Sequence, residues 1–264
     1  MSQSKSTRNN KPGNTLIPMV ILTSLFFILG FVTWLNGPLI PFFELACELS
    51  QSQAYFVAFA FYIAYFVMAI PSSWVIEKVG YKNGVSVGLV VIAFGAFMFY
   101  PAAEARTFLL FLLALFVMGT GLAILQTAAN PYVVVIGPRE SAAARISVLG
   151  IANKLAGFIA PLVLTALVLS NMQEYTADKI AVLDFATKSA VLDSLALQLQ
   201  TPYLYMGAII LVLAALVKLS PLPEIDLDED GKVLNQSVFK QIVNAFKYPQ
   251  LVLGVITLML YLAA

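Results

Sequence analysis

TFLLFLLALFVMGTGLAILQTAANPYVVVI, residues 107–136, is a continuous apolar stretch without a single Asp, Glu, Lys or Arg. About 20 such residues suffice for a helix to cross the hydrocarbon core of a bilayer. Lipid admits only helices and closed barrels as spanning forms, and a barrel strand would alternate apolar with polar residues. The stretch therefore predicts a transmembrane α-helix.

Comparable stretches recur along the chain and predict six complete spans followed by part of a seventh. They cover residues 15–43, 53–76, 83–102, 107–136, 145–170, 202–219 and 251–264. The last has about 14 residues, too few to cross a bilayer alone. We therefore expect an all-α polytopic membrane protein whose chain stops inside a seventh helix.

The composition supports this class and excludes others. Of the 264 residues, 60% are hydrophobic and 11% are charged, whereas about a quarter of the residues in soluble domains are charged. A net charge of +1 argues against a nucleic-acid partner. With no His and a single cysteine, Cys47, we expect no intrachain disulfide, no metal site and no cofactor.

Lys and Arg residues fall mainly on alternate connections between the spans, and this asymmetry sets the expected orientation. One side carries Lys5, Arg8, Lys11, Lys78, Lys82, Arg139, Arg145, Lys218, Lys232, Lys240 and Lys247. The other side carries Arg106, Lys179 and Lys188. Because cytoplasmic loops have the excess of positive charge, we expect the N-terminus in the cytoplasm.

The chain accordingly divides into four parts. Residues 1–14 form a cytoplasmic tail, 15–219 a six-helix transmembrane bundle, 220–250 a cytoplasmic loop and 251–264 a truncated seventh helix. Within the loop, apolar residues at helical spacing in 238–246 indicate either a short helix on the membrane surface or a solvated connector.

The connection between the second and third spans, residues 71–82, reads PSSWVIEKVGYK. Its order of small residue, acid, base, glycine and base resembles the corresponding loop of major facilitator superfamily carriers, and the positions are filled by Glu77, Lys78, Gly80 and Lys82. Charges at helix ends can latch neighbouring helices in one of two arrangements, so a gating loop is one interpretation. A tight, positively charged cytoplasmic turn is the other.

The fourth span carries a more specific resemblance. Residues 119–132, GTGLAILQTAANPY, followed by Gly137 and Pro138, resemble the fucose, glucose and galactose porter family of that superfamily, and the similarity extends through 100–104 and 201–203. The resemblance implies a twelve-helix carrier of a bacterial inner membrane, with two six-helix halves built from inverted repeats and a sugar site between them. This chain would supply the N-terminal half, and a missing C-terminal half would complete the site.

Gln126 and Asn130 lie four residues apart on the fourth span and so share a helix face near the middle of the membrane. An amide both donates and accepts hydrogen bonds, which suits sugar hydroxyls without burying a net charge. We therefore predict that Gln126 contacts the substrate, with an interhelical hydrogen bond as the alternative. We expect Asn130 chiefly to satisfy the backbone that Pro131 frees, with substrate contact as its second role.

The first span contains a group of residues typical of a kinked or broken helix: Trp34, Asn36, Gly37, Pro38 and Pro41. Under the inverted-repeat arrangement the first and fourth spans are counterparts, so we expect Asn36 to reach the same central cavity as Gln126. Trp34 offers an aromatic face to the C–H side of a pyranose, and ordinary packing or an interfacial position is the alternative.

Lys154, in the fifth span, is the only charged residue deep within a predicted span. The rest of its helix face is small or compact, namely Ser147, Gly150, Gly157 and Pro161. A charge at that depth is costly and must be compensated or functional. The options are an acid from the missing half, hydrogen bonds to Asn153 and sugar oxygens, loss of its proton during part of the cycle, or snorkelling toward the cytoplasm. The resemblance makes Asn153 a sugar-site position.

One departure from the family pattern concerns coupling. In fucose-type proton symporters carboxylates occupy the positions that match Gly37 and Gln126, so the coupling ion, H+ or Na+, stays open here. The resemblance implies secondary transport of a neutral monosaccharide such as glucose, galactose, fucose or an N-acetylhexosamine. A membrane sugar sensor derived from a transporter is the alternative, whereas an intramembrane enzyme would lack a His or a buried carboxylate for acid–base catalysis.

Overall fold

The computed structural model describes residues 16–169, 179–180, 182–225 and 246–263. Within these ranges the regular secondary structure is helical and contains no strand. The predicted tail at 1–14 lies outside the described residues, as does most of the segment 238–246. The chain divides into two units, residues 1–224 and 225–264.

The first unit contributes α1 to α10 over the described part of the chain, and the second contributes α11. The bounds are α1 Leu16–Trp34, α2 Asn36–Ala46, α3 Gln51–Ala54, α4 Phe56–Met68, α5 Pro71–Val79, α6 Tyr81–Glu104, α7 Phe108–Val135, α8 Ala142–Leu164, α9 Phe185–Leu197, α10 Gln200–Leu219 and α11 Pro249–Ala263. A 3-10 turn at Arg139–Ser141 precedes α8, and a π-helical turn at Thr165–Leu169 follows it.

Each of the six predicted complete spans has a helical counterpart in the first unit. Five stretches are long and apolar enough to cross a membrane: Leu16–Ala46, Tyr81–Glu104, Phe108–Val135, Ala142–Val168 and Phe185–Leu219. The second predicted span corresponds to Gln51–Met68 and Pro71–Val79, a pair bent by 58° that counts as a sixth if it forms one broken span. The all-helical membrane architecture expected from the sequence is therefore present.

Two of these spans differ from the predicted pattern for local reasons. The second span bends just before Pro71, which begins α5 and has no N–H to continue the preceding helix. The sixth span begins with α9, well before the predicted start at residue 202. Asp184 caps α9 by accepting a hydrogen bond from the Thr187 backbone N–H at 3.1 Å. Polar residues such as Lys188 interrupt the apolar run in α9, so a search for continuous apolar stretches does not find this helix.

Close helix packing relies on glycine, as is usual between membrane helices. Helices α6 and α7 approach so closely that a Cβ atom at Gly88 would lie 2.7 Å from the Leu125 backbone N. Helices α1 and α8 approach even more closely, because a Cβ atom at Gly30 would lie 2.3 Å from the Asn153 backbone O. Helix α4 packs on α7, and α10 packs on α6. The α1–α8 pair and α7 therefore position the predicted site residues.

Two ion pairs attach α9 to earlier parts of the chain. Arg106 Nη1 lies 3.0 Å from Asp193 Oδ1, and Lys188 pairs with Glu48. Arg106 also donates to the Ser189 backbone O at 3.3 Å. All of these groups belong to the end of the bundle where α2 ends and α7 begins, far along the helices from Lys154.

Candidate functional site

Lys154 and Trp34 meet where α8 packs against the end of α1. The Lys154 Nζ lies 5.3 Å from the centroid of the Trp34 ring, within the distance of about 6 Å that defines a cation–π interaction. A Cβ atom at Gly157 would lie 2.7 Å from the indole Nε1, so this glycine leaves the space that the ring occupies. Both side chains are exposed, Trp34 to 45%. The structure thus brings two predicted site residues into direct contact.

Asn153, the neighbour of Lys154 in sequence, bonds to another helix. Its Nδ2 donates a hydrogen bond to the Phe26 backbone O at 3.1 Å, and the side chain is half-buried. No hydrogen bond to Lys154 accompanies it in the described part of the chain. Asn153 therefore links α8 to α1 at the point where Gly30 allows the two backbones to approach, which is the interhelical role that polar side chains often have in membranes.

The first span breaks at Leu35, between α1 and α2, as its sequence predicts. Asn36 is only 4% exposed, and its Nδ2 donates to the Thr33 backbone O at 3.0 Å. The Thr33 hydroxyl in turn donates to the Leu29 backbone O at 2.6 Å. These bonds satisfy carbonyls next to the break. The Asn36 Oδ1 is buried without a hydrogen-bond partner among the described atoms, so one acceptor remains unused.

Gln126 and Asn130 are exposed on α7, one helical turn apart. Neither side chain makes a hydrogen bond within the described ranges, whereas the adjacent Thr127 hydroxyl donates to the Ala123 backbone O at 2.8 Å. Asn130 forms no side-chain hydrogen bond with the backbone beside Pro131 in the described ranges, and the structural role expected for it stays a prediction. Two adjacent amides are therefore available to a ligand.

Residues 77–82, where α5 ends and α6 begins, have an anionic partner from the end of the first unit. The Glu224 carboxylate accepts hydrogen bonds from the backbone N–H groups of Tyr81 and Lys82, the second at 3.3 Å. Lys82 Nζ donates to the Ser220 backbone O at 2.6 Å. The first contact places a negative charge at the start of α6, and the second places a positive charge at the end of α10, which are the favourable signs for both helix dipoles.

A third contact joins the same segment to α7. The Tyr132 hydroxyl donates to the Pro223 backbone O at 2.9 Å. Residues 220–224 are therefore bonded to the start of α6 and to the last turn of α7. We call this arrangement the 220–224 clasp.

The predicted roles within the 77–82 connection divide accordingly. Lys82 forms bonds of the 220–224 clasp, and Gly80 lies against the Glu224 carboxylate. Glu77 and Lys78 are exposed and form no ion pair in the described ranges. The acid that engages this connection is Glu224, which sequence reasoning did not select. Its only signal in the sequence is its place as the first acid after the sixth span.

Arg145 is a second residue that sequence reasoning missed, since its position suggested only a charge at the edge of a span. It is 8% exposed, and its guanidinium donates to the backbone O atoms of Val133, Val134 and Pro138 at 2.9, 3.2 and 2.9 Å. It also donates to the Ser141 Oγ at 2.6 Å. The carbonyls at a helix end have no partners within the helix, so Arg145 caps the end of α7.

These contacts define one cluster and one separate pair. Trp34, Asn153 and Lys154 lie together at the α1–α8 contact, while Gln126 and Asn130 lie on α7 without a hydrogen bond to that cluster. Among the residues that the structure describes, no group of His, Cys, Asp or Glu could hold a metal ion. The chemistry on offer is hydrogen bonding from neutral amides, one aromatic face and one ammonium.

A bundle of membrane-length helices, with exposed amides and an ammonium in mid-span, defines a polytopic membrane protein. The chain belongs to the Major Facilitator Superfamily, whose family model matches residues 22–264.

The curated relatives are named as transporters and not as enzymes. The chain is 38% identical over 213 residues to the L-fucose-proton symporter of Escherichia coli K12, covering 81% of this chain and 49% of the relative. It is 35% identical over 258 residues to the glucose/galactose transporter of Brucella abortus biovar 1, covering 98% and 58%. The chain thus spans about half the length of these relatives.

Solved structures give the same result for the fold. A crystal structure of the transporter FucP in the outward conformation matches with a TM-score of 0.70 and 38% identity, over 80% of this chain and 51% of that one. A second structure, of the E. coli fucose:proton symporter, matches with a TM-score of 0.76 and 34% identity, over 89% and 57%. The predicted major facilitator fold, and the resemblance to fucose and glucose/galactose carriers, are confirmed.

Proposed function

We propose that this chain forms the N-terminal half of a secondary carrier that moves a neutral monosaccharide by alternating access. The observation that carries the proposal is a pair of amides on an exposed face of α7, Gln126 and Asn130, whose side chains form no hydrogen bond in the described ranges. Neutral amides recognise sugar hydroxyls by directional hydrogen bonds, without the cost of a buried charge. The names of the relatives, a fucose symporter and glucose/galactose transporters, support a hexose-type substrate.

The cluster at the α1–α8 contact supports the same proposal. Trp34 presents an exposed aromatic ring beside Lys154. Such a ring suits the apolar C–H face of a pyranose, and an ammonium suits its oxygens. Asn153 and Asn36 each donate one hydrogen bond to the backbone of α1, and the buried Asn36 Oδ1, without a partner among the described atoms, is an acceptor still unused.

Coupling is assigned to Lys154 in this proposal. Apart from Asp193, which pairs with Arg106, the carboxylates of the described spans lie near helix ends. The positions where the resembling symporters carry carboxylates are occupied here by Gly37 and Gln126. Lys154 is the charged group that stands beside the site. We propose cation-coupled symport in which the Lys154 ammonium takes part in coupling. An acid supplied by the C-terminal half is the rival arrangement.

The same proposal includes the location of the protein. We place it in a bacterial inner membrane as a multi-pass protein with its N-terminus in the cytoplasm, which puts the 220–224 clasp on the cytoplasmic side. The excess of Lys and Arg on that side supports this orientation. Its partners are the lipid bilayer, a sugar and the C-terminal half.

Sugar counterflow in vesicles containing the full-length carrier tests the proposal. Counterflow of a labelled hexose requires both binding and movement, so a protein that binds without counterflow is a sensor. Gln126→Ala is expected to raise the apparent sugar Kd about tenfold, because it removes hydrogen bonds worth on the order of 1 kcal/mol each. Gln51→Ala, at an exposed position on α3, is the matched control and is expected to bind normally. Unchanged binding in Gln126→Ala would remove this residue from the site.

A further inference from the structure

We infer that Trp34 is the positioning residue that holds the Lys154 ammonium at the α1–α8 contact, with Gly157 leaving the space for its ring. The inference rests on the proposed coupling role of Lys154 and gives that role a structural partner. The contact itself is the 5.3 Å separation between the Lys154 Nζ and the ring centroid.

Lys154 has no carboxylate within ion-pair distance over the described ranges. The ion pairs found there, Arg106 with Asp193 and Lys188 with Glu48, belong to the other end of the bundle. Helices α1 and α7, which pack around α8, carry no charged side chain, and α2 has only Glu44 near its end. The guanidinium of Arg145, on α8 itself, is bound to carbonyls at the end of α7. The negative face of the Trp34 ring is therefore the electrostatic partner of this ammonium.

The shape of α8 matches this contact at one position. A Cβ atom at Gly157 would meet the indole Nε1 at 2.7 Å and Cδ1 at 2.8 Å. By contrast, a Cβ atom at Gly150, two turns earlier, would meet nothing within 4 Å. Only glycine therefore fits at residue 157, where the Trp34 ring approaches the backbone of α8. Residue 150 has room for a larger side chain.

An aromatic partner differs from a carboxylate in what it does to the charge. A carboxylate would neutralise the ammonium as an ion pair, whereas a neutral ring attracts it and leaves the net charge in place. Trp34 is also the last residue of α1, next to the break at Leu35. A rearrangement of the break that shifts the last turn of α1 would therefore move the ring relative to Lys154.

The test uses the full-length carrier in vesicles, with concentrative uptake and counterflow measured on the same preparations. Trp34→Leu is expected to lower the accumulation ratio about fivefold, the loss that corresponds to one cation–π contact, and Lys154→Met at least as much. Because both side chains lie beside the proposed sugar site, any fall in counterflow is expected to be equal in the two variants. Trp34→Phe keeps a ring and is expected to keep most of the accumulation. In the Lys154→Met background, Trp34→Leu is expected to add no further loss, as for two residues acting through one contact.

Gly157→Ala supplies a test that leaves both partners in place. The added methyl group displaces the ring, so accumulation is expected to fall as in Trp34→Leu, while Gly150→Ala is expected to behave as wild type. Independent, multiplicative losses in the double variant would overturn the inference. So would a loss of counterflow in Trp34→Leu with none in Lys154→Met, because Trp34 would then be a sugar contact alone.

Thermal unfolding in detergent without sugar separates this inference from the proposed function. The four proteins of the Trp34→Leu and Lys154→Met cycle are expected to give non-additive changes in Tm, and additive changes would contradict the contact. If the wild-type carrier shows no counterflow of any hexose, the proposed function fails, and the Tm cycle still decides whether Trp34 holds Lys154.

Discussion

The backbone N–H of Lys82 donates a hydrogen bond to the Glu224 carboxylate at 3.3 Å, although 142 residues separate the two in the chain. Tyr81 donates to the same oxygen. A carboxylate at a helix N-terminus satisfies N–H groups that have no partner within the helix and lies at the positive end of its dipole. The residue that precedes them, Gly80, has φ +82°, so the turn into α6 depends on a glycine and on an acid from far along the chain.

Gly80→Ala is expected to destabilise the protein by about 2 kcal/mol, since residues other than glycine are strained in this backbone region. The added Cβ atom would also lie 2.5 Å from the Glu224 Oε1 and displace the carboxylate. Thermal unfolding in detergent measures the effect as a lower Tm. Glu224→Gln, which keeps an acceptor but loses the charge, is expected to cost less. A Tm equal to wild type in Gly80→Ala would contradict the 220–224 clasp.

Arg145→Met is expected to lower stability by about 3 kcal/mol, because bonds to a charged donor are each worth about 1.5–3 kcal/mol and several buried carbonyls would lose their partner. The comparison variant is Lys78→Met, which removes a positive charge from an exposed position that forms no ion pair in the described ranges. Lys78→Met should unfold at the wild-type temperature. Equal effects of the two substitutions would show that Arg145 acts only through its charge and not by capping α7.

Cys47, which directly follows the first span, is expected to react slowly with maleimide near neutral pH. Burial raises the pKa of its thiol to about 11, against the opposing effect of the Arg106 charge. Because the thiolate is the nucleophile, labelling at pH 8 should be on the order of 100-fold slower than for a free cysteine and should rise steadily to pH 10. Ser52→Cys in a Cys47→Ser background gives the exposed reference, whose rate should level off above about pH 9. Equal rates at pH 8 would contradict the burial.

The spans could be predicted from the sequence because the local apolar composition is enough to place a segment in the membrane. A run as apolar as 107–136 is more stable in lipid than in water. It forms a helix because its backbone N–H and C=O groups have no water to bond to in the hydrocarbon core and must bond to one another. The α9 helix was hidden because its polar residues, Lys188 and Asp193 among them, pair with groups from other elements. Such pairing depends on tertiary contacts, and the sequence of α9 alone contains no sign of them.

The candidate site was predictable in its residue types and not in its contacts. Lys154 was identified because a charge in mid-span costs free energy. Gln126 was identified because a polar amide at that depth is also costly unless it forms hydrogen bonds. That Lys154 would lie over Trp34, and that Asn153 would turn to Phe26, follows from the closeness of α1 and α8. No spacing rule connects residues more than a hundred positions apart, so these partners are set only by the tertiary packing of the helices.

Residues 1–264 alone are expected to insert into membranes but not to take up sugar. Alternating access needs two halves that move about a shared site, and this chain covers 49% of the fucose symporter and 58% of the glucose/galactose transporter. Uptake into proteoliposomes is the measurement, and co-expression of the C-terminal half of such a carrier is the positive control. Sugar uptake by residues 1–264 alone would refute the two-half arrangement.

The close approach of α1 and α8 gives the last prediction, which compares two glycines of the first span. A Cβ atom at Gly30 would lie 2.3 Å from the Asn153 backbone O and 3.0 Å from its Cα, so neither backbone could stay in place. A Cβ atom at Gly37 would meet nothing within 4 Å. Gly30→Ala is therefore expected to separate the two helices, whereas Gly37→Ala leaves them together.

The separation has two measurable consequences. Overpacking of this kind typically costs about 1–3 kcal/mol, so the Tm of Gly30→Ala should fall while that of Gly37→Ala stays near wild type. The Asn153 bond to Phe26 and the Lys154 contact with Trp34 both span this junction, so accumulation should fall with stability in Gly30→Ala alone. A Gly30→Ala carrier with the stability and accumulation of Gly37→Ala would show that the backbones of α1 and α8 are not in contact at residue 30.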